Sequence, residues 1–426
     1  MKDIFSELSW RGLVHQTTDP NLGVWLREKP RTVYAGFDPT ADSLHVGHLV
    51  ALMTLRRFQQ AGHRPIVVIG GATGMIGDPS GKSEERQLLS RDTLLANIAG
   101  MEPQLRRFLD FSPGPTAALL LNNDDWIGPI SFLDFLRDVG KHVPVSVMLS
   151  KESVKTRLER SEGGLSYTEF SYMLLQAYDF VYLYRNYGCE LQIGGSDQWG
   201  NITAGIDLAR RLCGVQLYGL TCPLLVRSDG AKMGKTEAGA VWLSAQRTSP
   251  YQFYQYWINL PDDDVGPCLR FFTDLSFDQI EAALAAHRND PSRRYGQKLL
   301  AAELTRLVHG PEALAAAQHA SEILFGAEIE HLSDAELEAI FADVPSGMLP
   351  KNRLEGQGLW IVEAVCEAGL AKTRSEARRL IGQGGLYLNN RRVEDVELRL
   401  GPQHLASQTI LVLRTGKKNY ALLRFV

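Results

Sequence analysis

The stretch Thr32-Val33-Tyr34-Ala35-Gly36-Phe37-Asp38-Pro39-Thr40-Ala41-Asp42-Ser43-Leu44-His45-Val46-Gly47-His48 decides the fold. Its first six residues are apolar, aromatic and β-branched at strand length. A turn rich in Pro and Asp follows, and helical periodicity then runs from Val46 to about Gln60. Pro65-Ile66-Val67-Val68-Ile69 is a second short apolar strand, closed by Gly70-Gly71, and Ala117 to Leu121 and Glu190 to Ile193 have the same character. Short apolar strands separated by helical segments predict a parallel sheet with crossover helices, whose ligands bind at the carboxyl ends of the strands.

Outward from this α/β region the pattern changes. Pro250 to about Phe325 has helical periodicity and strong helix formers, among them Leu299 to Leu304 and Ala313 to Ala317. Pro345, Gly347 and Pro350 mark a linker, and the last ~75 residues read as a separate α+β unit. The chain has 426 residues, 44% hydrophobic and 22% charged, enough to bury several cores. Met1 to Glu7 carries no apolar leader, and no apolar run approaches the ~20 residues of a membrane helix. Five cysteines, none in a CxxC pair, argue against a disulfide framework and a zinc site and for a reducing cytoplasm. Net charge is −4, but Lys351 to Val426 holds 13 Lys and Arg against 7 Asp and Glu, so a basic tail follows an acidic body. That split fits a polyanionic partner, and equally a chance excess on a small solvated domain.

Two clusters suggest phosphate chemistry. His45 and His48, three apart, share a face of the first helical turn, and Gly47 between them admits a close ligand. A helix N-terminus there would add free N–H groups for an anion. Asp229-Gly230-Ala231-Lys232-Met233-Gly234-Lys235-Thr236 sets two lysines in a glycine-rich loop, a cationic clamp for a phosphate. Each cluster alone also fits ordinary exposed side chains.

Together they resemble the HIGH and KMSKS signatures of class I aminoacyl-tRNA synthetases. The departures are Val46, Gly234 and Thr236; both histidines and both lysines are kept. Within that class the chain resembles the tyrosyl-tRNA synthetase family over essentially its whole length. Tyr34 and Asp78 match, as do Tyr172, Gln176 and Asp179, which share a helix face at i, i+4 and i+7. The resemblance implies that Tyr34 and Asp179 bind the phenol hydroxyl of tyrosine, and that Asp78, Tyr172 and Gln176 bind its α-ammonium group. A buried carboxylate facing a hydroxyl would reject phenylalanine, which leaves the polar groups unpaired. Gln192-Ile193-Gly194-Gly195-Ser196-Asp197-Gln198-Trp199-Gly200-Asn201 also matches, with Gln192 and Gln198 near the tyrosyl group and Gly195 and Asp197 at the nucleoside. Asn122-Asn123-Asp124-Asp125-Trp126 matches apart from Asp124, where the family often has Tyr.

From the resemblance we expect Thr40, His45, Lys82, Arg86, Lys232 and Lys235 to bind the migrating phosphates. His48, Asp38, Gly36, Gly47, Gly195 and Asp197 would hold ATP. Mg²⁺ is expected with ATP, and no protein-bound metal. The tail from Gly369 to Ile381, completed by Gly384 to Asn389, resembles an S4-type RNA-binding domain in which Lys372, Arg374, Arg378 and Arg379 would contact RNA. The implied architecture is α/β: a Rossmann-like parallel-sheet catalytic domain (1–222), a connection carrying the lysine loop (223–247), a helical tRNA-binding domain (248–325), a linker (326–348) and an α+β S4-like domain (349–426). The implied partners are L-tyrosine, ATP, tRNA(Tyr) and a second copy in a homodimer, with no membrane and no DNA.

Three rival patterns fail on their own terms. Gly71 to Gly77 fits the G-x-x-G-x-x-G of extended short-chain dehydrogenases, but it follows the second strand and no Tyr-x-x-x-Lys pair exists. Gly77 to Ser83 resembles a P-loop, but position 76 is Ile where Walker A needs Gly. A pure RNA-binding protein would not need the histidines and lysines together. Tryptophan specificity is the nearest enzyme alternative, disfavoured by the pairing of Tyr34 with Asp179.

Overall fold

The computed structural model describes residues 3–80, 88–151, 154–155, 158, 165–230, 233–236, 239–329, 332–341, 344–416 and 419–426, with backbone alone at 235, 236 and 339. The chain divides into two compact units, Met1–Gly310 and Pro311–Val426.

The first unit is built on a six-stranded sheet. Its strands are β1 (Gln16–Thr17), β2 (Thr32–Phe37), β3 (Arg64–Ile69), β4 (Leu119–Asn122), β5 (Cys189–Gly195) and β6 (Tyr218–Cys222), in the spatial order β1-β6-β5-β2-β3-β4. All pairings are parallel except the short edge strand β1 on β6. β3 is buried along nearly its whole length, as expected of a parallel strand covered on both faces. The order has a functional consequence. The chain lays β3 and β4 on one side of β2, then returns to build β5 and β6 on the other. The crevice between the carboxyl ends of β2 and β5 is therefore a topological switch point, the usual ligand site in such sheets.

The helix Tyr167–Tyr187 borders that crevice. The Ser166 side chain caps its start by accepting from Glu169 N, and Gly188 ends it in the left-handed region. Its apolar face packs with the helix Trp199–Cys213 in a core containing Tyr34, Phe180 and Ile202.

The helices Pro250–Ile258, Asp262–Phe272, Phe277–Asn289 and Tyr295–His309 complete the first unit around fully buried Trp257, Phe253 and Phe272. Two buried arginines tie them to the sheet region. Arg11 donates to the carbonyls of Arg270, Thr273 and Leu275 at 2.8, 3.1 and 2.7 Å, and Arg57 donates to Thr273 O at 2.9 Å. These contacts satisfy carbonyls that the end of the helix Asp262–Phe272 would leave unpaired.

The second unit is α+β. A five-stranded sheet runs in the order Arg391–Arg392, Leu386–Leu388, Ile410–Thr415, Asn419–Phe425, Ser346–Leu349, the last pair parallel. Strand alternation serves two cores at once. Leu411, Leu413, Ala421 and Leu423 face one core, while Ile410, Val412, Tyr420 and Leu422 face the other. Ile323 of the helix Pro311–Leu324 lies in the second core, and its carbonyl accepts from Asn390 Nδ2 at 2.7 Å. The last helix of the stretch expected to form one domain over 248–325 thus packs in this unit. Within 326–348, the expected linker, the structure has the helix Asp334–Ile340 and the start of the edge strand Ser346–Leu349. Pro345 and Gly347 punctuate the chain there, but Leu337 and Phe341 are buried in the second core and order it.

Candidate active site

A cavity of about 580 Å³ opens at the switch point. Tyr34, Gly36, Asp38, Thr40, His45, Gly47, His48, Asp78, Tyr172, Gln176, Asp179, Gln192, Gly195, Asp197 and Gln198 all line it. These positions span more than 160 residues of sequence, and the fold gathers them at strand ends and on one helix face. Lys82, Arg86 and Lys232 lie outside the described residues, as does the side chain of Lys235. Lys372, Arg374, Arg378 and Arg379 belong to the second unit, where all four are exposed.

The deep end is built around Asp179. Trp126 Nε1 donates to one carboxylate oxygen at 2.8 Å and Asn123 Nδ2 to the other at 3.1 Å. Burial pushes this carboxyl up to about 7 against the pull of those two hydrogen bonds, and the charge on Asp38 adds to the rise. Burial, with the charge of Asp179 behind it, also raises the Tyr34 phenol, which stays protonated. The Tyr34 ring is held edge-on to Phe180 at 5.2 Å. Two buried polar atoms here have no partner among the described residues, Tyr34 Oη and Gln192 Oε1. Each such atom costs roughly 1–3 kcal/mol unless a ligand completes it.

A hydrogen-bonded chain runs outward from this point. Asn123 also donates to Thr73 Oγ1 at 3.0 Å, Thr73 donates to Asp38 Oδ1 at 2.9 Å, and Tyr172 Oη donates to Asp38 Oδ2 at 3.1 Å. Beside it, Gln198 Nε2 donates to Asp78 Oδ2 at 2.7 Å, and Asn201 Nδ2 donates to Gln176 Oε1 at 2.9 Å. Carboxylates and carbonyl oxygens thus converge where a cationic group of a ligand would sit.

The histidine turn differs from expectation. Val46–His48 is a single 3₁₀ turn before the helix Leu49–Gln60, and its N–H groups are all taken. His45 N donates to His48 Nδ1, Gly47 N to His45 Nδ1, Val46 N to Val241 O and His48 N to His45 O. The anion site of free backbone N–H groups is therefore not formed. The imidazoles replace it: each Nδ1 accepts from backbone, so each neutral ring carries its proton on Nε2 and donates from there. The rings stack at 4.0 Å. Burial and the adjacent His45 push His48 down to about 3, so it works as a neutral donor. A Cβ at Gly47 would lie 2.7 Å from His45 Cε1, so a side chain there would have to displace the imidazole that accepts from Gly47 N.

Gly234, in the described part of the lysine loop, is docked on this turn. Val241 bonds both Val46 and Gly234, and Lys235–Thr236 pairs with Gly239–Ala240. Gly234 has φ +80°, and a Cβ there would meet Val46 Cβ at 2.8 Å. Gly234 N donates to Tyr256 Oη at 2.8 Å, and buried Met233 sits 3.5 Å from Cys268 Sγ. Val46 and Gly234, two of the three departures from the signatures, are therefore in contact with one another.

Sequence reasoning did not assign Asn123, Trp126, Thr73, Asn201 or Tyr256. The position of Asn122–Trp126 at the end of β4 was a usable signal for the first two. Nothing in the spacing points to Tyr256.

Residues 26–326 match the family described as tRNA synthetases class I (W and Y), and residues 336–423 match the tyrosine–tRNA ligase SYY-like C-terminal domain. The chain is 58% identical to a tyrosine–tRNA ligase of Rhodopirellula baltica, covering 99% of this chain and 96% of that protein. It is 52% identical to the Geobacillus stearothermophilus protein of the same name, covering 99% and 100%. Among solved structures, a C-terminally truncated mitochondrial tyrosyl-tRNA synthetase of Aspergillus nidulans superposes with a TM-score of 0.69 at 32% identity, covering 76% of this chain and 95% of that one. A tryptophanyl-tRNA synthetase of Plasmodium falciparum shares the fold at 15% identity, covering 79% of this chain and 87% of that one, with a TM-score of 0.54.

Proposed function

The chain belongs to the tyrosine–tRNA ligases, class I synthetases that charge tRNA with tyrosine through an adenylate, and from that premise we propose how its residues divide the work. Buried Tyr34 Oη carries the pocket assignment. It has no partner among the described residues, and it feels the charge of a carboxylate that two donors hold in place. The phenol of tyrosine completes both groups, and phenylalanine or an indole does not. Asp78, Tyr172 and Gln176 receive the α-ammonium group, with Gln192 and Gln198 beside the tyrosyl group. Tyr172 spends its proton on Asp38, so its oxygen is left to accept.

The tyrosine carboxylate attacks the α-phosphorus of ATP in line. An O–P bond forms, the bond to the bridging oxygen of the β-phosphate breaks, and its electron pair leaves with pyrophosphate. His45 donates through Nε2–H, joined by Thr40, Lys82, Arg86, Lys232 and Lys235, to the charge that builds on the phosphates. His48, Asp38, Gly36, Gly47, Gly195 and Asp197 hold the nucleoside. The terminal ribose hydroxyl of tRNA(Tyr) then attacks the tyrosyl carbonyl and AMP leaves. No covalent enzyme intermediate is needed, because positioning and charge stabilisation carry the rate.

Mg²⁺ fits as a companion of ATP. Among the described residues no three His, Cys, Asp or Glu side chains cluster as ligands, and Asp38 and Asp78 are already engaged by donors. The cation would ride on the triphosphate and water and neutralise phosphate charge. We assign 1–222 to catalysis, 223–247 to the loop connection, and both the helices from 248 to 310 and the second unit, 311–426, to tRNA. Exposed Phe132, Leu133, Leu136, Val145 and Leu149 support a homodimer through the segment 132–149. A monomeric mass at micromolar concentration would count against it. No helix among the described residues is long and apolar enough to cross a membrane, and five free cysteines fit a cytoplasmic protein.

ATP–pyrophosphate exchange with each of the twenty amino acids, without tRNA, tests the reading. Exchange with tyrosine alone is expected. Exchange with tryptophan would keep the class and overturn the roles of Tyr34 and Asp179.

A further inference from the structure

The basic residues that the sequence marks for RNA lie on or just before one helix, Arg374–Gly382. The fold brings a further cation to them from elsewhere. In the antiparallel pair Leu359–Trp360 and Arg399–Leu400, Trp360 stands directly opposite Arg399. Opposed residues of such a pair share a face with Cβ atoms about 5 Å apart. Arg374 and Arg378, one turn apart, share a face of the helix. The two faces meet at a single indole. The guanidinium carbons of Arg378, Arg399 and Arg374 lie 4.9, 5.7 and 6.0 Å from the Trp360 ring centroid. The indole N–H donates to Val396 O at 2.8 Å, which fixes the ring plane.

This cluster is short of acid. Glu363 accepts from Arg374 at 2.6 Å and from Arg353 at 3.4 Å. Arg378 and Arg399 have no carboxylate partner among the described residues. Three like charges around one ring repel each other, and an exposed cation–π contact is worth only about 0.5–1 kcal/mol. A phosphodiester offers what is missing, since its oxygens accept from guanidinium forks in bidentate fashion.

We propose that Arg399, with Arg374 and Arg378 splayed on the Trp360 indole, forms a phosphate clamp for the RNA backbone. The proposal rests on the tRNA reading above and extends the RNA face off the helix onto the Trp360–Arg399 ribbon. Trp360 is a positioning residue; the three guanidiniums make the contact.

Arg399→Ala in the full-length protein tests it. Aminoacylation KM for tRNA and tRNA binding are measured across a salt series, with tRNA-free exchange and thermal melting in parallel. Loss of one phosphate contact should make the slope of log affinity against log salt shallower by roughly 0.7–0.9. KM for tRNA should rise several-fold, and exchange should be unchanged. Arg399→Lys keeps the charge and should keep the slope. An Arg399→Ala protein with the parent's slope and KM overturns the clamp. So does an Arg399→Lys protein whose slope becomes as shallow as that of Arg399→Ala, because the slope would then not follow the charge at this position. A parent protein without tyrosine-dependent exchange would sink the enzyme reading instead, and the binding series would still judge the clamp.

Discussion

Tyr34→Phe removes one oxygen from the floor of the cavity and should change stability and activity in opposite directions. The ring is 1% exposed and packs edge-on to Phe180, contacts that phenylalanine keeps. The hydroxyl is buried and without a partner among the described residues. An unmade buried hydrogen bond costs about 1–3 kcal/mol, so the ligand-free variant should gain stability. We take the low end, about 1 kcal/mol, because the adjoining cavity lets the group relax; in a unit of this size that raises Tm by about 2 °C. With tyrosine bound, the same oxygen makes a neutral hydrogen bond worth about 0.5–1.5 kcal/mol. The exchange kcat/KM for tyrosine should therefore fall about 2- to 13-fold, while that for phenylalanine does not fall. Differential scanning calorimetry without ligand and exchange with both amino acids read the two effects. A variant with a lower Tm and an unchanged tyrosine-to-phenylalanine ratio would refute the assignment of that hydroxyl to the substrate.

Asp179 gives a pH signature. Its folded pKa is raised from 3.8 to about 7, so its contribution to stability is complete below the unfolded value and is lost as pH rises through about 7. In ligand-free urea melts, Asp179→Asn should gain on the parent between about pH 4 and about pH 7 and hold that gain above it; a constant difference would show that burial does not govern the group. Gly234→Ala faces both φ +80° and a 2.8 Å contact with Val46 Cβ. At roughly 1–2 kcal/mol for the left-handed backbone, adenylate formation should slow about 5- to 30-fold with the tyrosine KM unchanged, and full activity would show that the docked loop is not the working state. Lys235→Ala should lower the activation rate far more than tyrosine affinity, whereas a change in affinity alone would remove Lys235 from the phosphates.

Local chemistry wrote much of this protein plainly into its sequence. The run Thr32–Phe37 had to be a strand, and residues 172, 176 and 179 had to share a helix face, because both follow from backbone periodicity alone. The signature histidines and lysines, and the acidic body before a basic tail, were equally legible. Tertiary structure alone decided the rest. Strand order placed the crevice between β2 and β5, and no local pattern encodes which strands become neighbours. The capping of His45 and Gly47 N–H by imidazole nitrogens turned an expected backbone anion site into a side-chain one. The partners of Asp179 come from 53 and 56 positions away, and Tyr256 reaches the lysine loop from a helix 22 positions on. Helix Pro311–Leu324 looked continuous with the helices before it, since periodicity reports that a helix has an apolar face and not which core receives it. Long-range choices of this kind are settled by which buried polar groups find partners and which apolar faces find cover, and only the folded chain brings both together.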